Sequence, residues 1–297
     1  MQNSAKTLSW MRMELYRALQ FRSVVFVFMV TLTLLLLYDI NKSRGPIVEG
    51  TVRKPILQTQ KARDAARLGK YTPTWIEFFD LVDHTTRCNK MIRVGGSNNN
   101  PFSDGSKVIC MDGGLAPRKD GSCLVLSFGI TNDWSFDDAM ASRNCTVYAF
   151  DPTKKTKNHK RGDRIYFFNL GLGNSSQVIN VGEKNLKVAG YRDILQRIKH
   201  VDSIIDYLKV DIEGSELEFF EHVLKEDAAL LKNIKQIGME IHSGKKNALR
   251  RNQFWLHLNR LQELGFRQVF SEQSSYLYNE RRVTRCYEIV WINERFL

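Results

Sequence analysis

Short apolar runs alternate with stretches of helical periodicity over the last two thirds of the chain. Runs at Cys123–Phe128, Thr146–Phe150, Ile165–Asn169, Tyr207–Val210, Gln236–Ile241, Gln268–Phe270 and Tyr287–Ile292 have strand length and composition. Between them, apolar residues recur at helical spacing near Phe136–Ser142, Tyr191–Lys199, Ser215–Lys225 and Ala248–Leu264. Strands that are apolar at consecutive positions are buried on both faces, which predicts a largely parallel sheet covered by helices on each side. The last two runs follow the final helix with only a polar connection between them, so the sheet should close on an antiparallel hairpin. The expected fold is Rossmann-like α/β.

The first third reads differently. Ser23–Tyr38 carries no charge and is bounded by Arg22 and Asp39. Its 16 residues would span ~24 Å as a helix, less than the ~30 Å hydrocarbon core, so the flanking residues must help at the edges. A span this short suits a Golgi or endoplasmic-reticulum membrane, and no small-residue cleavage site follows it cleanly. Lys6, Arg12, Arg17 and Arg22 precede it, whereas only Lys42 and Arg44 follow closely. The N-terminus is therefore expected in the cytosol and the remainder in the lumen, as in a single-pass type II protein. This divides the chain into a cytosolic tail (1–22), a signal anchor (23–40), a polar stem (41–70), an accessory helix and loop (71–104) and a catalytic domain (105–297). The accessory helix is read from Trp75, Phe78, Phe79 and Val82, and the loop from the Gly95–Asn100 stretch before Pro101.

With 44 Lys+Arg against 32 Asp+Glu the net charge is +12, a balance that favours acidic partners or a negatively charged surface. A lumenal domain without interleaved aromatics is not expected to meet nucleic acid. In the lumen, Asn144 and Asn174 lie in glycosylation sequons, whereas the sequon at Asn41 is too near the membrane. The five cysteines show no zinc spacing. Cys88 and Cys110 are the expected disulfide; Cys123 and Cys145 open apolar strands and read as buried thiols.

In open α/β sheets ligands lie beyond the carboxyl ends of the strands, and these ends are acidic here. The first run stops at Gly129 and enters a loop containing Asp133. The second ends in Asp151, 22 positions after Gly129, the separation expected of an acid that accepts hydrogen bonds from ribose hydroxyls. The fourth continues as Asp211-Ile212-Glu213-Gly214-Ser215-Glu216, with Asp211 and Glu213 on one side if the chain stays extended. The fifth ends in Glu240 and His242. No GxGxxG fingerprint is present, which counts against a nicotinamide enzyme.

Four segments, LKVDIEGSE at 208–216, VYAFDP at 147–152, FNLGLG at 168–173 and MEIH at 239–242, resemble the FkbM-type class I S-adenosylmethionine-dependent methyltransferases. SFGITNDWSFD at 127–137 looks more like the animal membrane-anchored methyltransferase-like proteins. The resemblance, over about 105–295, implies a seven-stranded sheet with an antiparallel terminal hairpin and S-adenosylmethionine as cofactor. By position it implies Gly129 in the first cofactor loop, Asp151 as the ribose acid and Asp211 beside the methionine moiety, with Asp133 also at the cofactor. The implied activity is O-methylation of a glycan or small-molecule acceptor.

Methyl transfer to a hydroxyl needs alignment and removal of a proton. His242 is the expected base, oriented by Glu240, Asp211 or Glu213; alternatively Asp211, Glu213 and Glu240 hold a divalent cation that acidifies the acceptor. Basic clusters at 154–161, Lys245–Lys246 and Arg250–Arg251 are candidates for gathering an anionic acceptor. Two other classes fit the anchor and stem equally well. One is a type II membrane glycosyltransferase with Asp211 and Glu213 on a metal. The other is a non-catalytic binding module on the methyltransferase scaffold, suggested by the glycine-poor first loop.

Overall fold

The computed structural model describes residues 88–96, 105–242, 248–278 and 281–297. The anchor 23–40, the stem, the accessory helix around Trp75, the Asn41 sequon and Lys245–Lys246 lie outside the described residues. Among the described residues no helix is long and apolar enough to cross a membrane.

In chain order the strands are β1 (Met91–Val94), β2 (Lys107–Cys110), β3 (Leu124–Phe128), β4 (Thr146–Phe150), β5 (His159–Arg161), β6 (Ile165–Phe168), β7 (Gly171–Leu172), β8 (Gln177–Val181), β9 (Lys184–Ala189), β10 (Tyr207–Val210), β11 (Gln236–His242), β12 (Phe266–Tyr278) and β13 (Arg281–Asn293). The helices are α1 (Ser135–Ala141), α2 (Tyr191–Ile198), α3 (Glu216–Glu226), α4 (Ala228–Leu231) and α5 (Ala248–Glu263).

The main sheet has the order β12-β13-β11-β10-β3-β4-β6-β5. β6, β4, β3, β10 and β11 are mutually parallel, and β13 is antiparallel to both β11 and β12. The expected Rossmann-like sheet and terminal hairpin are present. The expected seven strands become eight, because the basic stretch His159–Arg161 turns back and pairs antiparallel with β6 at the edge. A three-stranded sheet, β7-β9-β8, and the β1–β2 pair were not read from the sequence. Their strands are short or polar on most positions, so neither period stands out.

Alternation explains how the central strands bury both faces. On β3, Leu124, Leu126 and Phe128 join the larger apolar core with residues of α2, α3 and α5. Cys123 and Val125 face the smaller core with Ile109, Phe136 and Met140.

The segment before β3 is fastened to the sheet by buried polar groups. Tyr207 donates to the Val108 carbonyl at 2.9 Å, and a Cβ on Gly238 would stand 1.7 Å from the Tyr207 hydroxyl, so glycine is required beside it. The Gln236 amide accepts from the Cys110 N–H and donates to the Cys110 and Leu115 carbonyls. β1 pairs with β2, and the Cys88–Cys110 disulfide links their ends, so the contacts run across the boundary drawn at 104/105.

The expectation of buried thiols at Cys123 and Cys145 is corrected: they form a second disulfide. Parallel pairing of Leu124 with Thr146 places the preceding cysteines side by side, with Cα atoms 4.5 Å apart. Cys286 stands outside both disulfides.

Candidate active site

The strand order reverses between β3 and β10: the chain runs outward through β4 and β6, then returns to β10 and β11 on the other side. A crevice forms beyond the carboxyl ends at such a switch point. Gly129 and Asp211 meet there. Gly129 has φ +78°, and a Cβ on it would lie 1.6 Å from the Asp211 carbonyl oxygen, so backbone meets backbone with no room for a side chain.

Asp211 is the centre of the charge arrangement. Its carboxylate lies 3.4 Å from the Lys107 ammonium and 3.7 Å from that of Lys209. Burial alone would raise its pKa; the charges of Lys107, Lys209 and His242 outweigh burial and hold it below the ordinary carboxylate range. Lys209 also donates to the Gly129 carbonyl, tying the first loop to β10.

Lys107 is fully buried. Its ammonium lies 2.5 Å from Glu288 and 3.6 Å from Glu240, so one cation serves three carboxylates, just past the end of β10 and on β11 and β13. Burial works against its charge, yet the three acids raise its pKa above the usual lysine range. Glu288 moves the other way: burial first, then the nearby Glu240 and Asp211 charges, push it up to about 8 against the pull of Lys107. A divalent cation held by Asp211 and Glu240 would have to share this space with Lys107.

His242 lies on the other side of Glu240. Its Nδ1 is 2.9 Å from Glu216, and its Nε2 is 3.4 Å from Glu240 and 3.5 Å from Glu213. Nε2 is buried and makes no hydrogen bond among the described residues. Burial lowers the imidazole pKa, but the Glu216 bond and the charges of Glu216, Glu240 and Asp211 raise it to about 9. At neutral pH the ring is a cation, so it cannot accept a proton until it has lost one.

Asp211 and Glu213 do not share an extended chain. β10 ends at Val210, Glu213 has φ +53° and Gly214 φ +102°, and this turn starts α3. Glu213 is consequently 63% exposed at its side chain, whereas Asp211 is 12% exposed.

Asp151 lies at the end of β4 and is 2% exposed. One oxygen accepts from Ile130 and Thr131 N–H, the other from Thr153 N–H and hydroxyl. It shapes the first loop. Asp133 caps the entry to α1, accepting from Ser135 N–H at 2.8 Å, and its carboxylate packs against Gly105.

The structure thus brings Asp211, Glu240 and His242 together, with Asp133 on the loop after Gly129 and Asp151, at the end of β4, bonded to that loop. Lys107, Lys209, Glu216 and Glu288 complete the site. Lys209 and Glu288 each interrupt an apolar run, which is the one sequence signal they offered; Lys107 opens a short strand and offered none.

A family model described as a methyltransferase domain matches residues 52–293. The chain belongs to this methyltransferase-domain family. Among curated relatives of this family, the human "Probable methyltransferase-like protein 24" is 25% identical over 209 residues, covering 63% of this chain and 56% of that protein. The rat protein of the same name is 26% identical over 212 residues, covering 64% and 56%. The chain spans about half the length of these relatives. Two solved structures are also similar. A fibrillarin pre-rRNA processing protein of Methanococcus jannaschii has a TM-score of 0.35 at 14% identity, covering 60% of this chain and 68% of its own. A putative tRNA methyltransferase of Streptococcus pneumoniae, in complex with S-adenosyl-L-methionine, has a TM-score of 0.34 at 14% identity, covering 58% and 66%.

Proposed function

We propose that this methyltransferase domain is S-adenosylmethionine-dependent and of the FkbM type, and that it methylates an oxygen on a glycan or small molecule. The observation that carries the cofactor reading is the contact of Gly129 with the Asp211 backbone at the switch point. That packing holds the ends of β3 and β10 together at the switch point, where open α/β sheets bind nucleosides, and Asp151 and Asp211 flank it. When bound, S-adenosylmethionine supplies a methyl group carried on a sulfonium. On this reading the Gly129–Thr131 backbone and Asp151 hold the ribose end, Asp133 steadies the loop, and Asp211 faces the methionine end.

The buried His242 Nε2, which makes no hydrogen bond among the described residues, marks where an acceptor oxygen would be met. As an imidazolium, His242 orients that oxygen; as a base, it acts after releasing its proton. Glu240 and Glu216 hold the ring in either state. Lys107 already supplies the positive charge that a divalent cation would bring to Asp211 and Glu240, so the reading favours a metal-independent reaction.

The topology proposal keeps 1–22 cytosolic, 23–40 in a Golgi or endoplasmic-reticulum membrane, and 41–297 lumenal. Two disulfides suit an oxidising lumen. Asn144 and Asn174, both exposed, are then glycosylation acceptors.

One observation favours the non-catalytic module instead: each Asp151 oxygen already accepts two hydrogen bonds within the fold, which fills the acceptor capacity a ribose would need. Calorimetry of S-adenosylmethionine and of a nucleotide sugar on the full chain in detergent decides. Binding of S-adenosylmethionine that is weakened in Asp151→Ala, with the domain still folded by circular dichroism, supports the methyltransferase. Binding of the nucleotide sugar alone would sink it, and binding of neither would leave the module.

A further inference from the structure

The basic run after β4 is not one surface. Lys154 donates to the Thr131 carbonyl and lies over the Trp134 ring. Arg161 pairs with Asp138 at 2.7 Å and covers the same ring, and Lys160 lies over Tyr166. These three are used by the fold. Lys155 and Lys157 instead line a cleft of about 710 Å³ beside the end of β6.

Two further cations reach that cleft from distant parts of the chain: Lys187 on β9 and Arg197 on α2. None of the four appears in an ion pair among the described residues, and no carboxylate lines the cleft. The loop that carries Lys155 and Lys157 is held in shape by Asn169. Its N–H donates to the Asn158 side chain at 2.8 Å, and its amide donates to the Lys154 and Thr156 carbonyls. The lysines are therefore presented from an ordered loop. The volume is in the range of ligand sites, roughly 300–1,000 Å³.

The cofactor proposed above does not account for this cleft. S-adenosylmethionine carries a sulfonium and an ammonium against one carboxylate, and four cations would repel it. We propose that the cleft formed by Lys155, Lys157, Lys187 and Arg197 binds a glycan bearing sulfate or carboxylate groups. Asn158 and Asn169 supply polar contacts at its wall. The choice of a glycan over other polyanions rests on the lumenal reading of the domain. The cleft is lined by Phe168 at the end of β6, whose carbonyl accepts from the Asp151 N–H at 3.1 Å, so an anionic chain seated there would lie beside the strand end that leads into Asp151.

The test uses the full chain in detergent with a fluorescent sulfated hexasaccharide, its desulfated counterpart and a single-stranded RNA of equal charge. The sulfated sugar should bind at physiological salt and weaken as salt rises. The double variant Lys157→Gln/Arg197→Gln should weaken it at least about tenfold, an effect of about 1.4 kcal/mol. Lys119→Gln, an exposed lysine outside the cleft, should leave it unchanged. Equal binding of the desulfated sugar, an equal loss in Lys119→Gln, or tighter binding of the RNA through the same residues would each overturn the proposal. S-adenosylmethionine binding is measured on the same samples. Its retention in the double variant separates this site from the cofactor site, and its absence in the wild type removes the methyltransferase reading while leaving the glycan result standing.

Discussion

Lys107 donates a hydrogen bond to Glu288 at 2.5 Å across 181 positions of sequence. The pair joins a short strand before the main sheet to the terminal hairpin, and the same ammonium serves Asp211 and Glu240. Removing one partner of a buried pair leaves uncompensated charge, typically at about 3–5 kcal/mol. Lys107→Ala should therefore lower the unfolding free energy by about that much, because three acids lose their counter-charge. Glu288→Gln in the Lys107→Ala background should recover part of the loss. Urea titrations of the four proteins check it; additive effects would mean that the pair is not coupled.

His242 gives a signed pH dependence. Its folded pKa is raised from 6.5 to about 9, so the folded state holds the proton more tightly. The stabilisation is full below about pH 6.5 and fades as pH rises through about 9. Glu288, raised from 4.5 to about 8, contributes with the same sign from about pH 4.5 to 8 and so adds to the lower part of that window. Urea midpoints should fall between pH 6.5 and 9, and fall less in His242→Asn. Turnover limited by a deprotonated His242 should rise over the same window; a profile flat from pH 6.5 to 9 would remove His242 as the base and leave it an orienting cation.

Replacing Asp151 should have two consequences, of which a solvent-facing ribose acid would show only the first. Asp151→Ala should weaken S-adenosylmethionine binding about ten- to a hundred-fold. It should also destabilise the domain, since two loops lose a shared buried acceptor worth about 1.5–3 kcal/mol per charged hydrogen bond. Thermal melts with and without cofactor separate the effects. A variant with native stability and weak binding would show that the carboxylate serves the ligand alone.

The Cys123–Cys145 disulfide closes a loop of 22 positions. Replacing both cysteines with alanine should cost about 3 kcal/mol by the chain-entropy estimate. Mass spectrometry of protein from secretory cells should find both disulfides, and glycosidase should increase its mobility through Asn144 or Asn174. Reduced cysteines and unchanged mobility would place the domain on the cytosolic side.

Periodicity by itself determined the alternation of strands and helices, the largely parallel sheet and the terminal hairpin, because burial on both faces leaves a local signature in the central strands. The acidic strand ends at Asp151, Asp211 and Glu240 were legible for the same reason, since each stops an apolar run. Tertiary structure alone decided which charges meet. Lys107 opens β2 with no local sign that it faces Glu240 and Glu288, and Lys187 and Arg197 are scattered surface cations until α2 and β9 pack beside the loop after β4. It also decided the state of His242, whose pKa depends on Glu216 approaching from α3, and the second disulfide, which depends on the register of β3 against β4. Periodicity reports which residues are buried; the partners of a charge or a thiol are set by distances between segments far apart in the chain.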